Sequence, residues 1–556
     1  MKRIHLTYLF LLAIIALGTV LRFYRITTVP PSLSHDETAI TYNAYSILKT
    51  GKDEYGVPFP LLFKSFDDYK LPGMVYSTIP AVAVFGTTAM GARFTSAFLG
   101  SLTILLVYLL IYELFRNYPV SEGKRRMHAP DAYALASAFF FAISPWHINF
   151  SRQLFESNGA LFFLSLATYV LLLSLRKIRF LPLAALLLGI SVYFYYSVRL
   201  VIPFVVLAYL LINKKQLMAN KLTVLLSIFL FVITLIPIGS QMFTPGGLER
   251  VSIVSIIRDP NYYKWKDTFI GIYAKHPDMT RKVFFNQKTA LVMTALDNYW
   301  KNISPLHVFS SGTSTYGLQH PFEIPLIFVG AFFLITMAAP GKWLLVMWFL
   351  AAFLPGALST NQPNALRTLL AAPFFSICSG LGAIEIMTSI EARKRIWYGI
   401  VSFGLLLIFF LYAFYQSYFV VNPTRNALAF GDGYEQMITY VRNHESLYDR
   451  VVISGYYWRP YIFMLYWNKV DPAIYQRGGS RSGWGKYLFT GAEWDNNDIF
   501  LYNSSYDPKQ LIVSTPERTL FILARPEFEH NQQQYRYIDT ISGRHAPAVF
   551  IAASVK

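Results

Sequence analysis

Apolar residues in this chain fall in long unbroken runs, not at the alternating spacings of half-buried helices and strands. The runs cover residues 6–21, 93–115, 131–143, 158–175, 180–196, 200–212, 222–240, 322–339, 343–358, 367–389 and 396–419. Most are long enough to cross a bilayer as α-helices, with tilt or snorkelling completing the shorter ones. The pattern predicts about eleven transmembrane helices. Residues 71–86 are also apolar but contain Pro72 and Pro80, and are read as a juxtamembrane or re-entrant element.

The polar segments between the runs carry a charge asymmetry. Lys2 and Arg3, Arg116 with Lys124, Arg125 and Arg126, Arg176, Lys177 and Arg179, Lys214, Lys215 and Lys221, Lys342, and Arg393, Lys394 and Arg395 occupy alternate segments. The opposite short loops carry single arginines, Arg152, Arg199 and Arg367. By the positive-inside rule the N-terminus is expected in the cytoplasm, in the plasma or inner membrane of the cell. The first run is expected to stay as a span, since Leu21-Arg22-Phe23-Tyr24 offers no small-residue cleavage site.

Three regions then fall outside the cytoplasm: a first loop at 22–92, a long loop at 241–321 with a helical apolar pattern over 284–300, and a tail at 422–556. The tail alternates strand-like runs (450–454, 499–502, 519–523, 548–553) with polar turns. Gly431-Asp432-Gly433 reads as a turn and 434–443 as a helix. The expected fold is a polytopic α-helical membrane domain, 1–421, followed by a small extracytoplasmic α/β domain, 422–556.

Composition agrees. Of 556 residues, 54% are hydrophobic and only 14% charged, against about 25% charged in soluble proteins. The net charge of +18 does not indicate nucleic acid, because the basic residues sit in short clusters between apolar runs. A lone cysteine, Cys378, excludes a disulfide within the chain.

Candidate chemistry gathers in the outer loops. Pro30-Pro31-Ser32-Leu33-Ser34 precedes His35-Asp36-Glu37-Thr38, where Ser34 or Asp36 would cap an amphipathic helix lying on the membrane. The two carboxylates can serve chemistry or merely complement the helix dipole. Phe66-Asp67-Asp68-Tyr69-Lys70-Leu71-Pro72-Gly73 closes the loop, with Lys70 at the depth of a lipid phosphate, where it can bind an anion or snorkel. Ser144-Pro145-Trp146-His147 and Arg152 lead to Glu156, four residues on, so that the last two can pair on one helical face. Arg199 and Arg367 are the remaining outer cations near the spans. No nucleotide-binding glycine loop, zinc spacing or nucleophile elbow occurs. The spans are nearly free of charge, which argues against a lipid or polysaccharide transporter, the main alternative beside a non-catalytic scaffold.

The ordered set Asp36-Glu37, Asp68-Tyr69-Lys70-Leu71-Pro72, Ala92-Arg93-Phe94, Ser144-Pro145-Trp146-His147 and Phe150-Ser151-Arg152 before Glu156 resembles the lipid-carrier-dependent glycosyltransferases of GT-C fold. The nearest branch holds bacterial relatives of protein O-mannosyltransferase and the lipid A aminoarabinose transferase. The likeness runs from about Leu6 to Arg199; Leu71 stands where that family has a first proline. It implies a polyprenyl-phosphate-linked sugar as donor and an acceptor that is a protein, lipid or polysaccharide. It further implies inverting transfer with Asp36 as base and Glu37 and Glu156 beside it in the catalytic set. Lys70, with Arg199 and Arg367, would bind the donor phosphate, and His35, Asp68, Tyr69, His147 and Arg152 would support them. No metal-ligand spacing occurs, though Asp36, Glu37 and Glu156 leave a divalent cation open.

Overall fold

The computed structural model describes residues 2–555 apart from 67, 117–129, 245, 248–253, 276–277, 314, 392–395, 458 and 491–517. The expected strand at 499–502 and the basic clusters Lys124–Arg126 and Arg393–Arg395 lie outside the described residues.

Each predicted span is a helix. The elements in order are α1 (Lys2–Phe23), α2 (His35–Thr50), the hairpin β1 (Phe63–Ser65) and β2 (Asp68–Lys70), α3 (Pro72–Phe85), α4 (Ala89–Arg116), α5 (Pro130–Ile143), α6 (Pro145–Ser151), α7 (Glu156–Ser174), α8 (Leu181–Ser191), α9 (Val198–Ile212), α10 (Lys214–Ala219) and α11 (Lys221–Met242), with α2, α3, α6 and α10 lying between the predicted spans. Apolar helices Ile324–Thr336, Lys342–Ala352, Ala372–Glu391 and Ile396–Tyr415 follow. Among the described residues, six helices are long and apolar enough to cross a membrane, and six more apolar helices are shorter, α3 among them. The 284–300 pattern is realised as helix Gln287–Ile303.

The chain divides into two compact units, one of Met1–Tyr24 with Ser96–Ser417 and one of Arg25–Thr95 with Tyr418–Lys556. In the second of these units the first loop packs with the tail. Leu33, Tyr42 and Phe66 of the loop share one buried cluster with Met437, Ile438, Ile453, Ile462 and Phe463 of the tail. Helix Pro460–Trp467 is buried along nearly its whole length, and Tyr42 donates from its hydroxyl to the Val470 carbonyl at 3.1 Å.

Among the described residues the tail folds on a six-stranded mixed sheet, order β4-β5-β3-β6-β8-β7, with β3 Arg450–Ile453, β4 Gly483–Trp484, β5 Tyr487–Phe489, β6 Thr519–Ala524, β7 Tyr535–Ile541 and β8 Phe550–Val555. β3 lies parallel to β5 and β6, and β8 antiparallel to β6 and β7. The predicted turn is present: Gly431 and Gly433 take φ of 67° and 103°, conformations that a side chain disfavours, and helix Tyr434–His444 follows.

In the helical unit, small residues let helices approach closely, as membrane packing favours. A Cβ on Gly382 would fall 2.0 Å from the Leu326 carbonyl oxygen, and one on Gly380 2.3 Å from the Ser137 amide. Neither backbone neighbour can yield as a side chain would. Gly382→Val should therefore lower stability by about 1–3 kcal/mol or more, read as a drop in the thermal midpoint in detergent. Gly399→Ala, with open space around its Cβ, should leave that midpoint unchanged.

Candidate active site

The site in the loop–tail unit begins at the N-terminus of α2. Ser34 is the cap: its hydroxyl accepts from the Glu37 amide, and the Glu37 carboxylate accepts from the Ser34 amide at 2.9 Å. This reciprocal capping box leaves Asp36 in the first turn, pointing elsewhere. Gly51 in the left-handed region ends the helix.

Glu37 is fully buried against Arg93, which is fully buried too. Arg93 Nε donates to Glu37 Oε1 at 2.9 Å, and Nη1 donates to the carbonyls of Ile26 (2.8 Å) and Pro30 (3.0 Å). Nη2 donates to Glu37 Oε2 at 3.4 Å and to the Ser32 carbonyl. A guanidinium has five N–H donors, and here they gather three carbonyls of an irregular loop and one carboxylate. Glu37 therefore fixes the loop in front of Asp36. With donors on both oxygens, Glu37 sits in surroundings that oppose a metal ion. Among the described residues, no three His, Cys, Asp or Glu side chains converge on a possible metal site.

Asp36 is the acidic group that solvent reaches. Its side chain is 34% exposed, and Lys70 Nζ, only 6% exposed, donates to Oδ1 at 2.6 Å. Lys70 ends β2, whose register with β1 sets Phe63 opposite Lys70 and Ser65 opposite Asp68. The turn between them holds Phe66 at φ 65°. A bulky residue there is strained, and such strain is typical of functional sites. Asp68 Oδ1 accepts from the Tyr69 amide at 2.8 Å, stiffening the hairpin.

His35 lies beside the pair, Nε2 3.8 Å from Asp36 Oδ1, with its ring edge-on to Phe66 at 5.3 Å. Burial lowers the imidazole pKa; Asp36 pulls it up, while Lys70 and Arg459 push it further down.

Behind Phe66 lies Tyr461, 6.1 Å between ring centres, and then a fully buried acid, Glu54. The Tyr461 hydroxyl donates to Glu54 Oε1 at 3.4 Å, while Oε2 has no hydrogen-bond partner. Burial, with Asp53 beside it, pushes the Glu54 carboxyl up to about 8.

The helical unit carries the other expected residues. His147, at the start of α6, is fully buried between Arg22 and Asn158. Arg22 Nη2 donates to His147 Nδ1 at 2.6 Å, so Nε2 carries the proton and donates to Asn158 Oδ1 at 3.2 Å. Asn158 Nδ2 in turn donates to the Ser96 carbonyl at 2.7 Å. Burial, reinforced by Arg22, holds the His147 pKa well below its ordinary value. Arg152, also buried, donates from Nη1 to the carbonyls of Leu21 (2.8 Å) and Arg22 (3.1 Å) at the end of α1. A cation there complements the helix dipole. Glu156 opens α7 and is nearly buried.

Arg199 stacks over Tyr196 at 4.6 Å and donates to Met242 Sδ at 3.3 Å. It lines an apolar groove of about 390 Å³ with Ile202, Pro203, Phe231, Ile238 and Met242. Arg367 Nη1 donates to the Thr360 carbonyl at 2.6 Å, and the Ser197 hydroxyl donates to the Arg367 carbonyl at 3.3 Å.

The structure thus brings together His35, Asp36, Glu37 and Lys70 in one unit and supplies partners that the sequence reading missed, Arg93, Arg22, Asn158 and Arg459. A fully buried arginine leaves no local sequence signal, although Ala92-Arg93-Phe94 lay within the family pattern.

Two outcomes follow. Removing one partner of a buried ion pair costs about 3–5 kcal/mol, so Arg93→Ala should lower the unfolding midpoint far more than Lys70→Ala, measured by thermal scanning fluorimetry. Glu54 keeps its proton when folded up to about 8 but loses it near 4.5 when unfolded. Its contribution is therefore complete below about pH 4.5 and lost as pH rises to about 8. Glu54→Gln should raise the melting temperature at pH 8 and leave it unchanged at pH 4.

No known family profile and no curated protein matches the chain. Solved structures do. The chain aligns along all of its length with 98% of ArnT from Cupriavidus metallidurans in the apo state, at TM-score 0.54 and 10% identity. The undecaprenyl phosphate-bound structure of that protein gives TM-score 0.52, 10% identity, and coverage of 98% of this chain and 97% of ArnT. Archaeal oligosaccharyltransferase AglB from Archaeoglobus fulgidus, solved with an inhibitory peptide and a dolichol-phosphate, matches 84% of this chain at 15% identity and TM-score 0.48. The chain spans 64% of the AglB length. The likeness to ArnT along the whole chain shows that this chain shares that protein's fold, the polytopic GT-C-like architecture expected from its sequence.

Proposed function

We propose that the chain is an inverting glycosyltransferase that moves a hexosyl or pentosyl unit from a polyprenyl-phosphate donor to an acceptor hydroxyl or phosphate outside the cytoplasm. The observation that carries this is the Asp36–Lys70 pair, 2.6 Å apart at a half-open edge, in a fold shared with a protein solved with undecaprenyl phosphate.

The chemistry needs two groups. An acceptor oxygen attacks C1 of the sugar, its proton passes to the Asp36 carboxylate, and the C1–O bond to phosphate breaks with its electron pair leaving on the phosphate. A carboxylate suits the first task because it takes up the proton as the new bond forms. Lys70 suits the second, because a phosphate leaving group needs a cation and no proton donor. In the resting site each group neutralises the other. An arriving phosphate competes for the Lys70 ammonium and so frees Asp36 to act as base. Glu37, held by Arg93, positions this turn of helix. The roles of Glu156 with sugar or acceptor, and of Arg199 and Arg367 with phosphate, rest on the sequence pattern alone.

The test is transfer by purified protein in nanodiscs offered polyprenyl-phosphate sugars. Asp36→Asn should reduce turnover by about 10²-fold or more, with lipid binding and melting temperature retained. Unchanged transfer by a folded Asp36→Asn protein would overturn the assignment. Movement of a labelled lipid across the bilayer without a covalent product would favour a flippase.

A further inference from the structure

Helix Gln287–Ile303 is inside out for a helix in water. Ala290, Thr294, Asn298 and Asn302 follow one another at four-residue spacing and are all buried. On another face Val292, Leu296 and Trp300 repeat at the same spacing and stand 55%, 60% and 65% exposed. The inward row is mostly polar and the outward row wholly apolar.

Hydrogen bonds hold the inward row in place. Asn298 Nδ2 donates to Asp259 Oδ2 at 3.1 Å and to the Ser359 carbonyl at 3.3 Å. Asn302 Nδ2 donates to Gln362 Oε1 at 2.8 Å, and its Oδ1 accepts from the Asn364 amide at 2.9 Å. Turning the apolar row inward would break these bonds and leave buried amides unsatisfied.

Tyr299 fixes where the helix sits. Its hydroxyl donates to the Leu350 carbonyl at 3.0 Å, and its ring meets Phe353 edge-on at 5.7 Å. Leu350 lies in the last turn of helix Lys342–Ala352, one of the predicted spans, and is itself exposed. Helix Gln287–Ile303 is thereby tied to the end of a span, where acyl chains give way to head groups.

We propose that helix Gln287–Ile303 is a membrane-interface helix, with Val292, Leu296 and Trp300 seated in bilayer lipid. An apolar row exposed to water is disfavoured, and lipid at the end of the adjoining span removes that cost. Tryptophan is enriched at this depth. Lys288, one turn before Val292, is exposed, and Lys301, beside Trp300, pairs with Asp297 at 2.6 Å. Lysines at both ends of the row suit an interfacial helix, because their stems cover apolar surface while the ammonium groups reach water or head groups.

The experiment uses the full chain in vesicles of phosphatidylcholine and phosphatidylglycerol. Val292, Leu296 and Trp300 are changed singly to cysteine and spin-labelled; Cys378, the only native cysteine, is buried, and wild-type protein gives the background. Leu405→Cys, exposed on the apolar helix Ile396–Tyr415, marks lipid, and Arg536→Cys, exposed on β7, marks water. Collisions with oxygen, which concentrates in lipid, are compared with collisions with a nickel chelate, which stays in water. At all three positions the oxygen-to-nickel ratio should exceed that of Arg536→Cys several-fold and approach that of Leu405→Cys. A ratio equal to the water marker's would overturn the proposal. Poor access to both reagents, as under a second copy or a protein partner, would overturn it too. Should one variant fail to fold, the other two positions carry the same test. Either result leaves the glycosyltransferase reading untouched.

Discussion

The loop between Ile26 and Ser34 must run through protein interior without helix or strand to pair its carbonyls, and two consecutive prolines deny it most regular alternatives. Arg93 resolves this. One buried guanidinium donates to the carbonyls of Ile26, Pro30 and Ser32 and to the Glu37 carboxylate. Glu37 in turn caps Ser34 and so starts α2 at a defined residue. Burying two charges is expensive, and the arrangement is tolerable because each is paired and hydrogen-bonded. Asp36, one residue from Glu37, inherits its position from this pair.

The same unit explains why the first loop and the C-terminal segment fold together. α2 and the β1–β2 hairpin present Leu33, Tyr42 and Phe66, and the tail presents helix Pro460–Trp467 and the inner face of its sheet. Neither segment would cover its own apolar face. Their shared core brings Arg459 to Phe66 and Tyr461 to Glu54, linking the reactive edge to residues more than three hundred positions away in sequence.

The helical framework was legible in the sequence because long apolar runs have few alternatives to helix. The start of α2 was legible as a choice between Ser34 and Asp36, and the capping box settles it on Ser34. Strands β3, β6 and β8 were read from apolar runs. β4 and β5 were missed because they span only two and three residues, and β7 because its interior is exposed and its composition polar. That 25–95 and 418–556 share one compact unit was not legible, since packing between them leaves no periodic signal. Glu37 was read as part of the catalytic set, and its partner Arg93, 56 residues on, gave no local signal; the ring bonds of His147, to Arg22 and Asn158, were equally invisible. Local pattern identifies which groups can ionise, and only the tertiary structure shows which of them are already paired.

The central claim is that a lipid phosphate displaces Asp36 from Lys70. A structure of the protein with undecaprenyl phosphate tests it most directly. The account requires a phosphate oxygen within hydrogen-bond distance of Lys70 Nζ, with the 2.6 Å contact to Asp36 broken. Phosphate bound elsewhere, with the Asp36–Lys70 contact intact, would contradict it.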